Sequence, residues 1–123
     1  MRKTSIILVT IFIFLFIATV AYASGIQGDL KFTAEHVYYE GSTLIVYGYW
    51  YNDTDKYIPR TNWMHMNVFN NEGDLVASAR FSSDVLQLEP GQIKYWKYRI
   101  LNTPFKLLNW WRVDTEVNFQ YLN

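Results

Sequence analysis

The sequence predicts an all-β fold, an antiparallel immunoglobulin-like β-sandwich of about seven strands. Almost every segment after residue 28 alternates apolar with polar side chains at period two, and none follows the 3.6-residue period of a helix. Turn-forming residues interrupt the alternation at roughly 8–12-residue spacing, the rhythm of a sandwich. Aromatic residues make up 19% of the chain and cluster with β-branched ones, the composition that suits a pleated surface. A small open barrel is the alternative closure of the same pattern.

The chain opens on "MRKTS", a short basic start, followed by the apolar "IILVTIFIFLFIATVAYA". The run ends in Ala21-Tyr22-Ala23, the small-x-small pattern that a signal peptidase reads. We therefore expect residues 1–23 to be a signal peptide cleaved after Ala23, and residues 24–123 to form one secreted or cell-surface domain. The alternative is an uncleaved anchor, since the run is near the lower limit of about 17–25 residues that spans a bilayer. Only in that case is a membrane a partner.

The elements then follow in order. "DLKFTA" (29–34) sets Leu30 and Phe32 against Asp29 and Lys31, and "HVYYE" (36–40) is a second short extended piece before a turn at Glu40-Gly41-Ser42. "TLIVYGYWY" (43–51) is the strongest strand by composition. One of its faces carries Leu44, Val46, Gly48 and Trp50, and the other carries Ile45, Tyr47, Tyr49 and Tyr51. A glycine inside such a strand signals a bulge or a closely approaching neighbour. "NDTDK" (52–56) ends the strand with turn formers. "NWMHMNVF" (62–69) sets Met64, Met66 and Val68 against Trp63, His65, Asn67 and Phe69, and "NNEGD" is a hairpin turn. "LVASARF" (75–81) places Leu75, Ala77, Ala79 and Phe81 on one face. Leu86 and Leu88 mark a short strand, and "EPGQ" (89–92) suits a type II turn with Pro90 and Gly91 in its centre. "IKYWKYRI" (93–100) groups Trp96, Tyr98 and Ile100 opposite Lys97 and Arg99. "NTPFKLLN" is a connection too short for a helix. In "WWRVDTEVNFQYL" the odd positions from Trp111 to Tyr121 read as a core face and the even ones as a wet face.

Composition narrows the function. The chain has no cysteine, so disulfides, thiolate metal sites and cysteine nucleophiles are absent and the apolar core alone holds the fold. Loss of Arg2 and Lys3 with the leader turns 11 basic and 11 acidic side chains into a net charge of −2. No basic stripe remains for phosphates, which argues against nucleic acid as a partner. No set of titratable residues converges on a reaction, so we expect no catalytic residues, no cofactor and no enzyme. Asp114 and Glu116 lie two apart on one wet face without a visible cleft. Glu35, His36 and Glu40 are weak grounds for a metal site, and none is expected.

The landmarks "VYYEGSTLIVYGYWYNDTDKYI", "NVFNNEGDLVASARF" and "LQLEPGQIKYWKYRI" occur in a telling order. An extended segment, a glycine, an Asn-x-Thr turn, a Gly-containing hairpin and a Leu-x-Pro-Gly turn resemble the SLAP domain of secreted Gram-positive bacterial proteins. They are similar also to the FxLYD-type immunoglobulin-like domains. The likeness covers roughly two-thirds of residues 24–123 and stops near Ile100. It implies a non-enzymatic cell-wall or cell-surface module whose partner is a wall polymer or an envelope protein, and it supplies no site residues.

The residues alone offer one candidate binding set. Tyr47, Tyr49 and Tyr51 share a strand face, and Trp110 precedes the last strand with the parity opposite to the core residue Trp111. Exposed tyrosine and tryptophan rings are the groups on which sugar rings stack, so these four are the expected carbohydrate-binding residues. The same tyrosines also serve as ordinary cross-strand partners, each pair contributing about 0.2–1 kcal/mol. A third reading, a secreted protease inhibitor, takes "NDTDKYIPR" (52–60) as the projecting loop and Arg60 as its specificity residue.

Overall fold

Among the described residues two antiparallel sheets built from seven strands face each other across a single apolar layer, the strands following the period-two pattern except where β1 and β4 bulge. The computed structural model describes residues 28–121, so the signal-peptide reading of residues 1–23 lies outside the described residues. The first sheet has the order β1 (Leu30–Glu40), β2 (Thr43–Asn52), β6 (Ile93–Ile100). The second is centred on β3 (Ile58–Asn70). β4 (Leu75–Ser82) and β5 (Val85–Leu88) follow one another along one edge of β3, and β7 (Trp111–Phe119) lies along the other. The sheets do not close into a barrel. β1 faces β7 across the layer, and β5 approaches β6.

Side chains from both sheets fill the layer. Leu44, Val46 and Trp50 of β2 meet Met64, Met66 and Val68 of β3, all six fully buried. Each removes a large apolar area from water, worth about 1.5–3 kcal/mol per side chain. Trp50 keeps its polar atom satisfied: Nε1 donates to the Tyr98 hydroxyl at 3.2 Å, and that hydroxyl donates to Asp84 Oδ2 at 2.6 Å. Burial, reinforced by the bond to Asp84, pushes the Tyr98 phenol far above its usual range.

The turns work as their sequences imply. Asn52 is fully buried, and its side chain binds its own turn and the end of β5. Its amide donates to the Lys56 and Leu88 carbonyls, and its Oδ1 accepts from Thr54. Gln92 N donates to Glu89 O at 3.1 Å with Gly91 at φ 82°, the type II turn that needs a residue tolerant of positive φ. The connection 101–110 is fixed without regular structure, since Thr103 N donates to Ser42 O and Tyr39 Oη lies between Pro104 O and Lys106 N.

Three expectations need correction. The pieces at 29–34 and 36–40 are one strand. Leu75 is exposed rather than core-facing, because β4 bulges at Val76 (Val68 pairs with Ala77, Phe69 with Leu75), so Val76 and Ala77 both turn inward. The core-facing side of β7 is only half-buried from Trp111 to Phe119.

Candidate binding face

The outer face of the β1–β2–β6 sheet is set by register. Reading across it, the rows are Lys31–Tyr51–Ile93, Thr33–Tyr49–Tyr95, His36–Tyr47–Lys97 and Tyr38–Ile45–Arg99. Ile45 is nonetheless fully buried on this face, between Tyr38 and Arg99 in register.

A bulge completes the cluster. Ala34 pairs with Gly48 and His36 with Tyr47, leaving Glu35 as the extra residue of β1. Gly48 makes this possible, because a Cβ there would sit 2.0 Å from Thr33 O and 2.8 Å from Ala34 Cα. The bulge leaves Glu35 and His36 both exposed beside the tyrosines. The His36 ring lies near-parallel to Tyr47, with centroids 6.2 Å apart. Tyr47 is near-parallel to Tyr95 at 5.7 Å and 17°, and Tyr49 meets the same Tyr95 ring edge-on at 5.7 Å. Tyr95 is half exposed, at 50%. Its phenol is raised above its usual range, first by the Glu35 carboxylate, then by partial burial and the neighbouring tyrosines. At neutral pH it therefore keeps its proton and can donate a hydrogen bond.

Beside these rings Tyr49, Tyr51, Tyr95, Ile93 and Glu35 line an open trough of about 410 Å³. Its size is within the usual range of ligand sites, and its openness suits a chain laid along the sheet. Among the described residues no cation lies over these rings, although Lys31 also lines the trough, whereas Arg80 lies 4.5 Å over Trp63 and Arg112 lies 4.4 Å over Phe69 on the other sheet.

Three of the four expected site residues are thus brought together, and the fourth is not. Trp110 is 56% exposed, but it precedes β7 at the end of the sandwich where β3 finishes at Asn70. Tyr51 lies at the opposite end, where β1 begins. Tyr95 and His36 belong to the cluster and were missed by sequence reasoning. Tyr95 shares parity with the wet-face residues Lys97 and Arg99, a usable signal, while His36 is turned outward by a bulge that alternation does not reveal.

Arg60 is not on a loop. The turn ends at Tyr57, Ile58 opens β3, and Arg60 pairs with Val85 inside the sheet. Asn52 ties the rest of that segment down. Asp114 and Glu116 are exposed on β7, with Asp114 accepting from Arg112 at 3.1 Å. Among the described residues no group of three or more His, Asp or Glu side chains gathers as metal ligands. In sequence comparison, no protein-family model matches this chain and no curated protein matches it.

Proposed function

We propose that this chain is a secreted, non-enzymatic binding module of the Gram-positive cell envelope, and that its tyrosine face holds a wall polymer by stacking on sugar rings. The observation that carries the proposal is the part-exposed row Tyr47–Tyr95–Tyr49, with Tyr95 half exposed, beside an open trough. Half-exposed aromatic rings and their hydroxyls offer apolar contact together with hydrogen bonding, the combination a pyranose needs. The apolar leader with its Ala-Tyr-Ala end and the SLAP-like landmarks support the location.

Co-sedimentation of residues 24–123 with purified cell walls tests this, before and after the secondary polymers are stripped. Binding to intact walls only, weakened at least tenfold by Tyr49→Ala or Tyr95→Ala with the fold retained, is the expected result. A chain that stays in the supernatant throughout overturns the wall-polymer reading. A protein of the envelope is the second reading, favoured by the exposed Leu101, Phe105, Leu107 and Trp110 of the 101–110 connection.

A further inference from the structure

Four long strands have a free outer edge among the described residues, and they differ in a way that singles out one. An unpaired edge is a template for another strand unless it is interrupted or repels its own kind. β1 is interrupted by its bulge at Glu35 and β4 by its bulge at Val76. β6 carries Lys94, Lys97 and Arg99 with no acid, and Lys94 reaches across to Leu86 O. β7 has no extra residue of its own, the one irregularity in its pairing being Asn62 on β3, and of these strands without a bulge it alone carries both signs of charge, with Arg112 on one side of Val113 and Asp114 and Glu116 on the other.

The side of the sandwich at β7 is also open. Every core-facing side chain of β7 is only half-buried, and a gap of about 290 Å³ lies between β1 and β7, lined by Leu30, Phe32, Thr115 and Val117. A strand laid on the outer edge of β7 would continue the sheet and cover this seam.

We propose that the occupant is a second copy of this chain, its β7 paired antiparallel with the first about a twofold axis through Val113. Charge suits a second copy as partner and disfavours the neighbouring registers. Side chains stay on their own face only if paired residues share parity, so the axis passes through a residue. An axis through Thr115 sets Asp114 against Glu116 of the partner twice, and one through Asp114 sets that carboxylate against itself. The axis through Val113 sets Arg112 against Asp114 of the partner twice, Val113 against Val113 and Trp111 against Thr115. Arg112 already donates to Asp114 of its own chain, and a guanidinium has donors to spare for a second carboxylate. Trp110 then lies opposite the partner's Glu116. The contact is isologous and closes on itself, so it gives dimers and not fibres. It is independent of the tyrosine face, which lies on the other sheet.

The test uses the absence of cysteine from the chain. Val113→Cys in the full chain, oxidised in the producing cells, is expected to give a disulfide-linked dimer. Asn118→Cys, placed away from the axis, is expected to give none. Sedimentation equilibrium of residues 24–123, which contain the whole core, is expected to show a dimer. Arg112→Asp and Asp114→Arg are each expected to weaken it at least tenfold, and the double exchange to restore it. A monomer at 100 µM, a dimer indifferent to both single charge changes, or failure of the double exchange to restore it would overturn the proposal.

Discussion

On the outer face of the β1–β2–β6 sheet the aromatic rings meet one another. On the outer face of the β3 sheet the two largest rings each meet an arginine. Both faces begin from the same pattern, a central strand with aromatic side chains at alternate positions: Tyr47, Tyr49 and Tyr51 in one, Trp63, His65 and Phe69 in the other. The neighbouring strands make the difference. β4 and β7 bring Arg80 and Arg112 over Trp63 and Phe69, and Ser78 hydrogen-bonds His65 at 3.0 Å. β1 and β6 bring His36 and Tyr95, which extend the ring row without capping it. An aromatic stripe on a strand is thus left without a cation or covered by one according to residues far away in sequence.

The comparison breaks most severely at Gly48. Gly48→Val drives a side chain into the Thr33 carbonyl and the Ala34 backbone, so the bulge must move or the strands part. We expect a loss of about 3 kcal/mol, at the upper end of overpacking, read as a lower urea midpoint, together with loss of wall binding. Tyr98 ties the two sheets through Asp84, and its effect depends on pH. Its folded pKa is raised, so the fold favours the neutral phenol. Its contribution is whole below the ordinary tyrosine pKa of about 10 and falls as pH rises above it. Tyr98→Phe is expected to cost about 1–3 kcal/mol at pH 7, because Asp84 and the Trp50 N–H lose their partner, yet to show a flatter decline of the urea midpoint above pH 10 than the parent. The smallest effect is the one that sharpens the contrast. Arg80→Ala is expected to cost about 0.5–1 kcal/mol by uncovering Trp63. Lys97→Ala, on the face whose rings no cation covers, is expected to leave the urea midpoint unchanged.

Much of the fold was legible because it is local. Alternation located the strands, and "EPGQ", "NNEGD" and "NDTDK" located turns that the hydrogen bonds bear out. Gly48 was readable as a bulge signal from one residue in a β-branched run. Leu75 was misplaced because a bulge inverts parity, and neither Val76 nor its neighbours announce one. Trp110 joined the tyrosines on chemistry alone, and alternation cannot say which end of which sheet a residue occupies. Tyr95 was passed over because its strand is dominated by Trp96 and Tyr98, and its value appears only once β6 is known to lie beside β2.

The pairing of β3 with β7 has a consequence for how the chain is made. Thr61 waits for Phe119, and Asn70 for Trp111, before the central strand of its sheet has neighbours on both edges. No disulfide can hold a partial structure in the meantime. Loop-closure entropy must be met before these distant contacts return any stabilisation, so the second sheet completes only after β7 has been made. Until then the chain remains threadable, which is what the export proposed for it requires.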